Sequence, residues 1–272
     1  MKKKRIIPLV LFKDGHVVQS RKFNFHRPLG QLDGTLRRLD DWQSDEVIIL
    51  DITSTRSDSK PHGRVDLSTK FSPVLLDALE QHSRLGSMPL TVGGGLTSIY
   101  QVEKLFAAGA DKVFINSSFY DDPSFLDLVV REFGSQAVVF GVDYVENSDS
   151  RQVMIRNGSQ KLDISVNRAI ELATERNVGE IFLNSITRDG AKQGMDIRLL
   201  TSLKSFNLPL ILCGGAGSTE HLGEALEGGV LDGVSAANFF QHVELSVIKA
   251  RARLLELGHN VRKVDNLNFE GD

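Results

Sequence analysis

The sequence predicts an α/β fold, a single closed (β/α)8 TIM barrel, on three observations. Apolar runs of strand length alternate with segments of helical period from one end of the 272-residue chain to the other. Eight such pairs can be counted, the number that closes a parallel barrel. The glycine turn at Gly93 and the strand end at Asn116 recur at Gly214 and Ala237 with one common offset. That internal repeat argues for two homologous half-barrels, roughly 1–133 and 134–259, and so for closure over a doubly wound open sheet.

The strand candidates, in order, are 6–11, 47–51, 90–93, 113–116, 137–143, 181–184, 208–213 and 234–237. The clearest is 137–143, a nearly unbroken apolar run from Ala137 that ends on Asp143. It is too short for a helix of its own and reads as a strand buried on both faces. Between strands, Val102, Leu105, Phe106 and Gly109 repeat at helical spacing, as do Leu126, Val129, Val130 and Phe133. The second of these segments opens on Asp121-Asp122-Pro123, an acidic cap with proline in the first turn. Residues 15–33 and 53–73 read as long connections after the first and second strands. Residues 146–162 read as a small hairpin around Asn157-Gly158, a favoured turn pair. Long connections at the C-terminal side of barrel strands shape active sites. The tail from Asn260 reads as a helix end followed by frayed residues. No domain boundary interrupts 1–272.

Composition narrows the function classes. With 32 basic and 35 acidic residues the net charge is −3, which argues against general binding to nucleic acid or an anionic membrane. The start at Lys2-Lys3-Lys4-Arg5 is too short for a targeting peptide, and no apolar segment reaches the roughly 20 residues of a membrane span. A single cysteine, Cys213, excludes an internal disulfide and fits a reducing compartment. The expectation is a soluble cytoplasmic protein. The seven histidines show no metal-ligand spacing, and neither a Rossmann nor a Walker fingerprint is present, so no metal and no cofactor is expected.

Glycine turns let backbone N–H groups approach an anion. Gly93-Gly94-Gly95 with Asn116-Ser117 would form one phosphate cradle. Gly214-Gly215 with Ala237-Asn238, and with Gly190, would form another. The competing reading is that such glycines only make tight turns. Asp143 and Asp51 end apolar strands at the usual position of barrel chemistry, where a carboxylate can act as general acid or base or simply cap a loop. Asp189 is a loop acid that could equally form a turn. The repeat places Leu11, not an acid, opposite Asp143 in the first half. Arg5, Glu46, Lys112 and Glu180 each precede a strand, so they either form a ring of ion pairs across the barrel floor or stand singly in solvent.

Over nearly its whole length the chain resembles the cyclase subunit of imidazole glycerol phosphate synthase, HisF. The stretches that carry the resemblance run from Lys4 to Pro8, Lys13 to Gly15, Leu50 to Ile52, Thr91 to Gly95, Ala110 to Lys112, Phe133 to Val138, Arg188 to Gly190 and Gly214 to Gly217. The resemblance implies a lyase-type barrel of histidine biosynthesis that receives ammonia from a HisH-like glutaminase in a heterodimer. In that family ammonia rises through the barrel to a bis-phosphorylated substrate held between two aspartates. Carried over, the phosphate positions are Gly95, Asn116, Ser117, Gly190, Gly215, Ala237 and Asn238, the last in place of the usual serine. Arg5, Glu46, Lys112 and Glu180 match the charged ammonia gate, Asp111 and Gln136 match positions near the glutaminase, and Asp143 matches one catalytic aspartate. The other aspartate is replaced by Leu11, and a substrate-holding lysine by Gln19.

The gate is kept while half of the exit chemistry is lost. This pattern resembles cyclase-like paralogues of lipopolysaccharide synthesis, in which ammonia passes to a separate sugar amidotransferase that amidinates an N-acetyl sugar. Two other readings stand beside it: a genuine histidine-pathway cyclase, and a non-catalytic scaffold that activates the glutaminase.

Overall fold

The structure is a computed structural model that describes residues 2–53, 71–147, 150–203 and 207–264. Strand β1 (Arg5–Lys13) runs into an antiparallel hairpin, β2 (His16–Arg21) and β3 (Phe25–Gly30). Then come α1 (Leu32–Asp41), β4 (Val47–Asp51), α2 (Pro73–Leu85), β5 (Leu90–Gly93), α3 (Ile99–Ala107), β6 (Lys112–Ile115), α4 (Ser117–Asp121) and α5 (Pro123–Phe133). A second long strand, β7 (Val138–Glu146), again runs into a hairpin, β8 (Arg151–Ile155) and β9 (Gln160–Ser165). It is followed by α6 (Val166–Glu175), β10 (Glu180–Ser185), α7 (Ile197–Ser202), β11 (Leu210–Cys213), α8 (Thr219–Glu227), β12 (Gly233–Ala236) and α9 (Ser246–Glu256).

Eight parallel strands, in the order β1-β4-β5-β6-β7-β10-β11-β12, close on themselves because β12 pairs with β1 and β7 with β10. This is the closed (β/α)8 barrel that the alternation of strands and helices predicts. The helices form around amphipathic sequences whose apolar stripe faces the barrel, as with Val102 and Leu105 on α3 and Leu126 and Val129 on α5. The expected acidic cap of α5 is in place: the Ser124 N–H donates to Asp122 at 3.0 Å, and Pro123 opens the helix. Two apolar clusters result. The larger fills the space between strands and helices. The smaller lies inside the barrel and includes Ile7, Leu9, Leu11, Ile48, Phe114, Val139, Phe182, Ile211 and Cys213, taken from alternate positions along the strands.

Two connections differ from the sequence expectation. Residues 15–33 are not a plain loop, since they contain β2, β3 and the start of α1. The physical reason is the Asp14-Gly15 turn, with φ of 49° and 85°, which folds β2 back on β1 so that Lys13 pairs with His16. Beyond α9 the chain does not continue the helix from Asn260. It returns beside β1, where the Lys4 N–H donates to the Asn260 carbonyl at 2.8 Å and Lys4 bridges Val261. The expected hairpin around Asn157-Gly158 is present as β8 and β9. The expected connection at 53–73 falls mostly outside the described residues.

Candidate active site at the barrel mouth and its charged floor

Strand alternation sorts the interior of the barrel into levels. At the strand starts, the four charges predicted as a ring meet. Arg5 donates to Glu46 at 2.8 Å and pairs with Glu180, while Lys112 donates to Glu46 at 3.0 Å and to Glu180 at 3.3 Å. The Thr91 hydroxyl adds a bond to Glu46 at 2.7 Å. Both carboxylates are buried, and the two cations retain about a fifth of their side-chain exposure. A closed ring of two positives and two negatives satisfies each carboxylate, the condition for tolerating buried charge. The Glu180 and Glu46 carboxylates raise the Arg5 pKa even though burial alone would lower it. The solvated alternative for these charges is therefore excluded.

Asp111 and Gln136 lie at the same end, just before β6 and β7. Asp111 spends its carboxylate locally, accepting the Leu90 N–H at 2.8 Å.

At the other end, β7 places Asp143 on the interior side, half-buried. Asn116 donates to one of its oxygens at 2.8 Å, and Asn184 to the other at 2.9 Å. Burial pushes the Asp143 carboxyl up to about 6. The two amide donors oppose this, and the charge of Asp189 adds to it. An acid that titrates near neutrality can give or take a proton at physiological pH. Leu11, by contrast, is 7% exposed and packs within the interior apolar cluster, so β1 offers no second carboxylate there. Asp51 ends β4, raised by burial against the Thr53 N–H, which donates to it at 2.9 Å. Cys213 is buried in the same interior, and desolvation pushes its thiol up to about 12, so it is inert as a nucleophile.

The residues expected to cradle phosphate are brought to this mouth, but several of their polar groups already have protein partners. Asn116 holds Asp143, the Ser117 hydroxyl accepts the Arg156 N–H at 2.9 Å, and buried Asn238 donates to the Ser20 carbonyl at 2.7 Å. Gly190, with φ of 64°, sits so close to Ser20 and Asn238 that an added Cβ would lie 3.0 Å from the Ser20 oxygen. The turn at Gly214-Gly215 is required by packing, since a Cβ on Gly215 would stand 2.1 Å from the Gly194 carbonyl. Gly95 keeps a φ of 66° in the first turn, and Ala237 packs against the interior cluster.

Ser20 is a residue that sequence reasoning missed. Its hydroxyl donates to buried Asp189 at 2.8 Å, and the Lys22 N–H reaches the Asp189 carbonyl at 3.2 Å. Asp189 is raised by burial against these donors. The β2–β3 tip thereby covers the second cradle, while the β8–β9 turn, through Arg156, covers the first. The tips meet: a Cβ on Gly158 would lie 3.1 Å from Ile186 and 3.5 Å from Phe23. The tips of the two hairpins thus meet at the mouth end of the barrel. Asn184 was also missed, because its role exists only across the β7–β10 pairing, where it stands in register with Asp143.

Among the described residues, no helix is long and apolar enough to cross a membrane, and no group of three or more His, Cys, Asp or Glu residues is placed to hold a metal. A family model described as "Histidine biosynthesis protein" matches residues 5–246. A putative imidazole glycerol phosphate synthase subunit hisF2 of Vibrio vulnificus is 34% identical, covering 99% of this chain and 95% of its own. The HisF subunit of Alkaliphilus metalliredigens is 32% identical, covering 96% and 99%. That of Hyphomonas neptunium is 36% identical, covering 97% and 100%.

Proposed function

The chain belongs to the histidine biosynthesis protein family with the HisF cyclase subunits of imidazole glycerol phosphate synthase, and from that premise we propose that it is a cytoplasmic ammonia-conducting subunit. It takes ammonia from a HisH-like glutaminase docked in a heterodimer at the floor, near Asp111 and Gln136. Ammonia passes Arg5, Glu46, Lys112 and Glu180, and leaves beside Asp143 for a sugar amidotransferase that amidinates an N-acetyl sugar in lipopolysaccharide synthesis. The observation that carries this reading is the asymmetry between the two ends. The four-charge ring is complete, while at the mouth Asp143 on β7 has no acidic counterpart on β1, where Leu11 is packed into apolar surroundings.

An acid/base pair cannot be run by leucine, and general acid–base contributions amount to about 10²–10⁴ in rate. Of the phosphate positions Gly95, Asn116, Ser117, Gly190, Gly215, Ala237 and Asn238, Ser117 has its hydroxyl engaged by the Arg156 N–H and Asn238 its side-chain amide by the Ser20 carbonyl. Asp143 keeps its protonatable group for an acceptor or for the emerging ammonia.

The test is complementation of a cyclase-deficient strain supplied with ammonia. This reading expects no growth without histidine. Growth would sink it in favour of the histidine-pathway cyclase.

A further inference from the structure

Two strands carry the same three-level pattern across the interior. On β6 and just beyond it these are Lys112, Phe114 and Asn116, and on β10 they are Glu180, Phe182 and Asn184. The charges belong to the floor ring and the amides hold Asp143, so the two phenylalanines lie between floor and mouth. Their rings pack edge to face, with centroids 5.4 Å apart and planes at 78°. Phe114 is 6% exposed and Phe182 fully buried, and they share their cluster with Ile7, Ile48, Val139 and Ile211 among others. A barrel interior packed in this way is a core and not a pore, because voids wider than a water molecule are rare at native density.

One ring in this layer rests on backbone instead of on a side chain. On β5 the position beside Phe114 is Gly93; on β7, where Val139 is the residue paired with Phe114, the ring reaches on to Gly141. A Cβ on Gly141 would lie 2.3 Å from the tip of the Phe114 ring, and one on Gly93 would lie 2.5 Å from the Phe114 carbonyl and 2.6 Å from its Cβ. The ring therefore lies over the bare backbone of β7, two residues below Asp143, in volume that any side chain at 141 would occupy. No side chain at 141 holds the ring where it lies.

We propose that Phe114 is the valve of the barrel interior, closing the way between the ion ring and Asp143 when its ring lies on Gly141 and opening it when the ring swings aside. This inference rests on the ammonia-conducting reading and assigns its regulation to one side chain.

The experiment has two arms. In the isolated chain, para-fluorophenylalanine is placed at position 114 and followed by fluorine NMR. Two exchanging environments are expected in the wild type. They should collapse to one in Gly141→Ala, whose methyl group excludes the closed position. In the complex with the glutaminase, Phe114→Ala that melts cooperatively should hydrolyse glutamine several-fold faster without an acceptor, since ammonia then escapes through the mouth. A single environment in the wild type, or unchanged hydrolysis in a complex the barrel still stimulates, overturns the valve alone. Absence of any stimulation by the wild-type barrel overturns the conducting reading, a result distinct from either.

Discussion

Replacing Asp143 by asparagine converts its altered titration into a stability measurement. The carboxyl moves from its ordinary 3.8 to about 6 on folding, chiefly because burial penalises the charged form. A folded pKa raised above the unfolded one means that the native state binds the proton more tightly. The associated stability is present below the unfolded value and is lost as pH rises through the folded one. At about 1.4 kcal/mol per pKa unit, this amounts to roughly 3 kcal/mol lost between about pH 4 and pH 7. Asp143→Asn has nothing to titrate. It suffers a fixed cost, because an amide must now face the Asn116 and Asn184 donors, but that cost does not vary with pH. Urea unfolding of both proteins from pH 4 to pH 8 isolates the difference, since apart from Asp189, whose charge is coupled to Asp143, the groups that titrate in this window do so alike in the two. The variant should gain on the wild type by up to about 3 kcal/mol across this window. A difference that stays flat with pH would refute the assignment of a desolvated carboxyl at the mouth.

Lys112→Met leaves buried Glu46 and Glu180 sharing Arg5 alone, and should cost about 1–3 kcal/mol in denaturant unfolding. In the complex it should also uncouple ammonia delivery from glutamine hydrolysis, whereas a mere scaffold would show no uncoupling. Leu11→Asp puts a carboxyl among interior apolar side chains and should cost a few kcal/mol of stability. Combined with Gln19→Lys it should produce measurable cyclase activity, and a null result would show that these two positions do not account for the loss. Ser20→Ala removes the hydroxyl bonded to Asp189, so trypsin should cut at Arg21 and Lys22 faster than in the wild type. Unchanged digestion kinetics would mean that this bond does not hold the β2–β3 tip.

The barrel was legible because its signals are local. An apolar run bounded by a helix cap reads the same way whatever it packs against, and each of the eight strand candidates coincides with a barrel strand to within a few residues. The first hairpin was missed although Asp14-Gly15 announces a two-residue turn, because β3 is polar and exposed and lacks the alternation that marks a half-buried strand. The charge ring could be proposed from position alone, and the structure joined its members into ion pairs. The mouth was harder. That Asn116 and Asn184 hold Asp143, and that Ser20 reaches Asp189, depends on pairings between segments far apart in sequence, which periodicity does not encode. The functional meaning of glycine was also divided. Gly215 is demanded by a neighbouring carbonyl, whereas Gly141 makes room for an aromatic ring.

The closure of β1 against β12 has a consequence for synthesis. Strand β1 is synthesised well before β12 and must wait for it before its outer edge is hydrogen-bonded, from Arg5 to Pro8, opposite Gly233 to Ala236. The hairpin turns back only on Leu11 to Lys13 and gives this stretch no shelter. Throughout translation, the newborn chain carries an apolar ribbon that could recruit a strand from another polypeptide. Arg5 and Pro8 bracket that ribbon: one is charged, and the other has no N–H to offer a stray partner. A residue that later serves the ion ring thus begins its life as a guard against aggregation.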